Sequence, residues 1–324
     1  MSQTNRKNSG KSGRNILLTA IAAVIVAVLA FFGISLDDIF PGALPAGEST
    51  GTSRTETGAP AQSGGAETSD GTLDVRFLDV GQADCILVQC GGETLLIDAG
   101  DQGSYPTISG ALDGLGITRL DYVIATHPHA DHIGSMAKVI ENYEIGTIIL
   151  PDIPEAIMPT TRTFEKMMDA IEAKGCGVQQ AVPLDVFRVG GAEVTILGPA
   201  GEYNDLNDIS VVCRLVYGET SFLFTGDAEK TAEADILKLD TPLRSTVLKM
   251  GHHGSSTSTS RPFWEAVDPL YCVISCGKDN DYGHPHRETL ELLDEYQIIP
   301  YRTDTMGTIL FRLEGGKLTV TTEK

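Results

Sequence analysis

Apolar residues fill positions 16–34 without a single charge, about the length a helix needs to cross a bilayer. Arg6, Lys7, Lys11 and Arg14 precede this run, and Asp37 and Asp38 follow it. The basic bias predicts a cytoplasmic N-terminus and an exported remainder. A cleaved signal peptide has an apolar region of about 7–15 residues, shorter than this one, which favours an uncleaved anchor; both readings export the rest of the chain. From 42 to 71 the sequence turns to Gly, Ser, Thr, Ala, Glu and Pro, a composition that cannot bury a core and reads as a flexible spacer. The expected division is a basic cytoplasmic N-terminus over 1–14, a transmembrane anchor over 15–35, a linker over 36–71 and one large domain over 72–324.

Within that domain, short apolar alternations predict strands at 74–78, 85–89, 94–97, 122–126, 147–150, 193–197, 210–216, 221–225, 246–250, 271–275, 299–302, 308–313 and 317–322. Helical periodicity predicts helices at 105–115, 132–141, 160–174, 229–237, 262–267 and 287–296. Many strands with interspersed helices suit an α/β (α+β) fold of two sheets packed face to face with helices outside.

The formal net charge of −20 argues against a broad nucleic-acid-coating surface, which needs Lys and Arg to displace counterions. Metal-mediated phosphate chemistry stays open, because bound cations can be the largest charges in a site. None of the six cysteines forms a CxxC pair, which argues against a thiolate zinc knuckle. Cys272 and Cys276, four residues apart in a strand, are separated by about 13 Å, too far for a disulfide. The cysteines read as small buried hydrophobes, with one distant bridged pair left open.

The seven histidines all fall in three clusters: THPHADH at 126–132, GHHG at 251–254 and GHPH at 283–286. Each cluster follows, or nearly follows, a predicted strand, where a rigid scaffold presents reactive groups on a loop. Side chains two apart in an extended segment point the same way, so His127 and His129 can grip one ion. Asp131 and His132 sit where the chain turns into a helix, able to address a second.

HPHADH resembles the HxHxDH signature of the metallo-β-lactamase superfamily, hydrolases with an αββα sandwich and one or two metals. LLIDAGD at 95–101 resembles its first motif, with Asp98 closing a strand. FTGDAE at 224–229 resembles its fourth and makes Asp227 a metal-bridging carboxylate. LKMGHHGS at 248–255 resembles its fifth and supplies a final histidine. FLDVGQADCILVQ, LNDISVVCRLVYGETSFLFTGD, YGHPH and YRTDTMGTI extend the resemblance to the ComEC-type hydrolase domain, otherwise appended to a competence DNA-uptake channel, over nearly all of 73–324. With one membrane segment, the chain resembles an exported hydrolase detached from that channel. Ala83 replaces the second glycine of the usual VGQGD. The superfamily's third-motif histidine is absent, since no histidine lies between His132 and His252; LNDIS stands near its place, so Asn207, Asp208 or Ser210 is expected to complete the first metal's shell.

The resemblance implies two divalent ions, Zn2+ first and Mn2+ as the alternative: one on His127, His129 and Asp227, the other on Asp131, His132, Asp227 and His253. Adjacent residues leaving a strand point opposite ways, so His253 is taken as the ligand and His252 as facing substrate or the surrounding hydrogen bonds. Asp98 is expected to accept the free N–H of a ligand histidine. His284 and His286, two apart, are candidates to reach a leaving-group oxygen or a phosphate, with a structural loop as the other reading. Lys249 is a candidate anion contact, otherwise a solvated strand lysine; Asp79, Gln82 and Asp84, and likewise Arg302, Thr303 and Asp304, divide between turn chemistry and the site.

The implied activity is that of a membrane-tethered phosphodiesterase, a nuclease acting on DNA outside the membrane, with partners in a competence system. The acidic charge and the lack of a basic stretch favour the alternative, a cell-surface enzyme acting on phosphodiesters of wall polymers or on choline-phosphate esters. β-Lactam hydrolysis ranks lower because the third-motif histidine is missing. The intact His/Asp set argues against a decayed binding module. The anchor and spacer fit a Gram-positive cell surface.

Overall fold

In a computed structural model, residues 71–324 are described. The basic N-terminus, the anchor and all but the last residue of the linker lie outside them. Among the described residues no helix is long and apolar enough to cross a membrane.

Two sheets form the domain. The first runs in the order β15 (Lys317–Thr322), β14 (Ile309–Glu314), β1 (Leu73–Phe77), β2 (Ile86–Cys90), β3 (Glu93–Ile97), β4 (Arg119–Ile124), β5 (Glu144–Leu150), β6 (Gly177–Gln180). The second runs β13 (Tyr301–Arg302), β12 (Tyr271–Ile274), β11 (Val247–Lys249), β10 (Thr220–Phe224), β9 (Cys213–Tyr217), β8 (Ala192–Ile196), β7 (Val186–Val189). Successive side chains of a strand face opposite sides of the sheet, and both sides here are apolar. Ile86 and Val88, Leu95 and Ile97, and Phe222 and Phe224 enter the core between the sheets. Leu87 and Leu96 face a second core, under α1 (Tyr105–Gly114), α2 (Ala130–Ile133), α3 (Met136–Asn142) and α4 (Arg162–Lys174). Leu223 and Leu248 face a third, under α5 (Lys230–Ile236), α6 (Arg261–Val267) and α7 (Arg287–Glu295). The layers are therefore helix, sheet, sheet, helix.

The expected strands and helices all occur, with shifted ends. The helix expected over 132–141 is broken in two, because Gly134 N–H donates to Gly100 O and Ser135 N–H to Ala99 O instead of continuing the helical ladder. The strand expected from 210 begins at Cys213. Ahead of it Val211 N–H donates to Thr126 O, which brings Ser210 beside the first histidine cluster. The short, largely exposed strands β6 (GVQQ) and β7 (VFRV) were not anticipated. Nor was the one-turn helix α8 (Thr303–Met306). All six cysteines are unpaired thiols, five of them buried.

Strands β3–β4–β5 are parallel to one another, and so are β10–β11–β12. In open α/β sheets functional groups gather beyond the carboxyl ends of such strands. Asp98 follows β3, the 126–132 cluster follows β4, Asp227 follows β10, the histidine pair follows β11 and Ser275 follows β12.

Candidate metal centre

Asp227 is the hub. It is buried, and its Oδ1 lies 3.3 Å from His132 Nε2. Its Oδ2 lies 3.8 Å from His127 Nε2, 3.5 Å from His252 Nε2 and 3.6 Å from His253 Nε2. Asp131 Oδ2 lies 3.3 Å from His253 Nε2. One ligand atom from each of Asp131, His132, Asp227 and His253 falls within 4.8 Å of every other. His127 Nε2, near Oδ2, also meets His129 Nδ1 at 3.0 Å.

Behind these atoms the imidazoles of His132, His253 and His252 are each fixed through the other nitrogen. His132 Nδ1 donates to Asp98 Oδ2 at 2.7 Å. Asp98, fully buried, also accepts from Thr126 N–H at 2.8 Å and Thr126 Oγ1 at 2.7 Å. His253 Nδ1 donates to Ser275 O at 2.9 Å, and His252 Nδ1 to Glu229 Oε1 at 3.1 Å. A proton fixed on Nδ1 leaves the Nε2 lone pair free, the tautomer that metal-binding histidines adopt. His127 Nδ1 lies against Thr126 Oγ1 at 3.2 Å and Ser210 Oγ at 3.4 Å.

Electrostatics gathers opposite charges here. Burial raises the Asp227 pKa, but the imidazoles of His132, His253 and His127 outweigh it and hold the carboxyl well below its ordinary range. Burial likewise opposes charge on His132, yet Asp227 and Asp98 hold its pKa well above the usual value. His127 goes the other way, pushed down by burial and by neighbouring His132. His284, which lines the cleft, is lowered to about 4 by burial and then by His253 and His286.

His132 Nε2, His253 Nε2 and Asp227 Oδ1 are buried without a hydrogen-bond partner. An unpaired buried polar atom costs about 1–3 kcal/mol, and these three face one another. That convergence, with a donor set of imidazole nitrogens and carboxylate oxygens, fits a divalent cation. The cleft that opens onto it has a volume of about 360 Å³ and is walled by His129, Asp131, His252, His253, Tyr282 and His284.

Several expectations need correction. His252 and His253 do not point opposite ways, because both have positive φ (47° and 53°), which breaks the strand alternation and turns both rings towards Asp227. Lys249 is neither solvated nor in the cleft: it is buried, with Nζ 2.7 Å from Asp84 Oδ2 and 3.0 Å from Met250 O. Ser210 sits behind His127 and accepts the Asp227 N–H at 3.1 Å, so it supports the ligands from the rear. Asp208 caps α5 through the N–H groups of Glu229 and Ala232, and Asn207 Nδ2 donates to Glu229. His286 spends both ring nitrogens away from the cluster, accepting from Ser256 N–H in the segment after the histidine pair and donating to Tyr282 O on its own loop. Asp79 pairs with Lys324, Arg302 with Asp304, and Thr303 bonds Cys276. Gln82 joins the site, bridging His284 Nδ1 and Gly277 N–H. Glu229 and Thr126 were missed, although FTGDAE and THPHADH contain them.

The chain belongs to the metallo-beta-lactamase superfamily, which its residues 78–277 match. It is 30% identical over 263 residues to ComE operon protein 3 of Bacillus subtilis (strain 168), covering 75% of this chain and 33% of that protein. It is 32% identical over 246 residues to Competence protein ComA of Neisseria gonorrhoeae, covering 75% of this chain and 32% of that protein. The chain thus spans about a third of the length of these competence proteins. Among solved structures, the CmlA beta-hydroxylase E377D mutant is similar at a TM-score of 0.49 and 16% identity, over 76% of this chain and 55% of that one. The fold is that of a metal-dependent hydrolase family related to competence proteins.

Proposed function

We propose that the chain is a membrane-anchored, extracytoplasmic phosphodiesterase, a nuclease of the ComEC-like type acting on DNA. The observation that supports it is the convergence of Asp131, His132, Asp227 and His253 on one point, with three of their atoms buried and unpaired. In this reading His127, His129 and Asp227 hold one divalent ion, zinc or alternatively Mn2+, and Asp131, His132, Asp227 and His253 hold a second. His252, with its Nδ1 tied to Glu229 and its Nε2 on Asp227 Oδ2, closes the first set where the third-motif histidine is missing. Bound there, the ions supply Lewis acidity and activated water, so no side-chain nucleophile is required. The protein's part is to fix ligand tautomers through Asp98, Ser275 and Glu229 and to keep bulk water from Asp227. His284 and Tyr282 line the space for the ester's substituents.

The similarity to competence proteins supports DNA as substrate and a competence system as partner; the apolar run at 16–34 supports membrane attachment through an N-terminal helix. A second reading, a cell-surface phosphodiesterase on wall polymers or choline-phosphate esters, draws on the charge of −20 and on a cleft lined without Lys or Arg. The test is elemental analysis of the purified full chain beside assays on bis-p-nitrophenyl phosphate, single-stranded DNA and nitrocefin, with an Asp131→Ala/His132→Ala control. Metal-dependent DNA cleavage lost in the control supports the nuclease. Cleavage of the small ester alone moves the reading to surface phosphodiesters. A chain without metal or turnover sinks both.

A further inference from the structure

A second pocket, about 190 Å³ in volume, is lined by His127 and Pro128, the residues next to His129 in the wall of the metal-centre cleft. Its walls are Pro128, Ile133, Met158, Phe164, Met167 and Met168, together with the side of His127. Three of the chain's seven methionines meet there. Met158 and Met168 remain 47% and 38% exposed, so the wall continues onto the surface as apolar area. The only carboxylate in the lining is the exposed Asp152, at the end of β5. His127 belongs both to this wall and to the cluster around Asp227, so the pocket and the metal centre share a residue.

Given a phosphodiester as substrate, the chemistry of the pocket selects among its possible substituents. A polyol would lose its hydrogen bonds to water against thioethers and alkyl groups. A choline cation calls for a cage of several aromatic faces, and the pocket offers Phe164 and the imidazole of His127 alone. A nucleobase has apolar π faces and a polar edge. Thioether sulfur packs favourably against aromatic rings, and a carboxylate accepts from the exocyclic amine of a base. Stacking on a base contributes about 1–3 kcal/mol and does not itself need a positive charge.

We infer that this pocket is a nucleobase subsite, seating the base next to the scissile phosphodiester between Met158, Phe164, Met167 and Met168, with Asp152 favouring amine-bearing bases. The inference rests on the phosphodiesterase reading for its place in the reaction, while its binding can be observed without any turnover.

The experiment uses the full zinc-loaded chain with ¹³C-methyl methionine, titrated with deoxyadenosine and, as control, with 2-deoxyribose. Ring currents should shift the methyl signals of Met158, Met167 and Met168, leave Met136, Met250 and Met306 in place, and be absent with the sugar. Shifts at none of the three overturn the subsite. In parallel, Met168→Glu is assayed on thymidine 5′-(p-nitrophenyl phosphate) and on methyl p-nitrophenyl phosphate, which has no base. KM should rise about tenfold or more on the first and stay put on the second, and Asp152→Asn should reduce discrimination between adenine and thymine nucleotides. Equal losses on both esters would assign the methionines to packing and overturn the proposal. Cleaved esters without methyl shifts reject the subsite and keep the phosphodiesterase. Methyl shifts without cleavage of any ester reject the phosphodiesterase and keep a nucleoside-binding pocket.

Discussion

Lys249 Nζ lies 2.7 Å from Asp84 Oδ2, with both side chains almost wholly buried, immediately behind the histidines that face Asp227. Asp84 Oδ1 is 3.7 Å from His253 Nδ1, and its Oδ2 is 4.0 Å from His132 Nδ1. Both imidazoles already donate elsewhere, so Lys249 is the cation that compensates Asp84. Removing one partner of a buried pair leaves a charge that nothing solvates, at a cost of about 3–5 kcal/mol. Lys249→Met should therefore lower the urea-unfolding midpoint strongly, and adding Asp84→Asn should restore most of the loss. An unchanged midpoint in the single variant would contradict the pair's role.

Asp98 stands one hydrogen bond behind His132. It fixes the Nδ1 proton of His132 and holds Thr126, which in turn touches His127. Outer partners of this kind are worth about 10–100-fold in metal affinity. Asp98→Asn should lose that much in competition with a chromophoric chelator while the fold, followed by circular dichroism, stays intact.

His252 separates two readings of the missing third-motif histidine. If it closes the first metal set, His252→Ala should reduce bound metal from two ions per chain towards one. Glu229→Gln, which loosens the Nδ1 anchor, should weaken the same ion by about 10–100-fold. Two ions retained per chain in His252→Ala would leave that imidazole to the substrate instead.

How much of this could be read in advance depends on the kind of pattern that carries it. The cores were legible because each strand is short, apolar and bounded, as in ILVQC and TSFLF. Strands β6 and β7 escaped because GVQQ and VFRV have exposed positions and little alternation. The residues of the site were legible as clusters, since seven histidines in three short segments mark three loops. Their orientations were not, because they depend on backbone angles that residue type does not announce. Two adjacent histidines at positive φ turned an expected alternation into a shared direction. Lys249 was misjudged for a related reason: its partner Asp84 is 165 positions away, in a turn that local sequence describes equally well as mere turn chemistry.

Asp74 links stability to pH away from the metal centre. It lies opposite Arg312 on the neighbouring strand and accepts from that guanidinium at 2.7 Å and from Arg76 at 2.8 Å. Burial raises its pKa, but the bonds from Arg312 and Arg76 outweigh it and bring it below 3.8. A carboxylate depressed in the folded state binds its proton more readily when unfolded, so its contribution is present above the unfolded pKa and lost as pH falls through the folded one. Denaturation curves from pH 6 to pH 2 should show Asp74→Asn already weakened at pH 6, by about 2 kcal/mol, and less sensitive to acid than the parent. Parallel curves for the two proteins would remove Asp74 from the acid response.

Gly226 is the residue on which the placement of Asp227 turns. Its φ is +51°, and a Cβ there would stand 3.1 Å from Ser210 Cβ and Oγ and from Thr126 Cβ. Those two residues carry the hydroxyls against His127 Nδ1, and Ser210 also holds the Asp227 N–H. Gly226→Ala should therefore impose two penalties. Left-handed backbone costs an L-residue about 1–2 kcal/mol, and the added methyl group displaces the supports of the first metal set. Gly315 provides the control, with φ +55° and nothing within 4 Å of an added Cβ. Gly315→Ala should show a comparable loss in unfolding free energy with metal affinity unchanged, whereas Gly226→Ala should lose both. Equal metal binding in the two variants would mean that the contacts at Ser210 and Thr126 yield without moving His127 or Asp227.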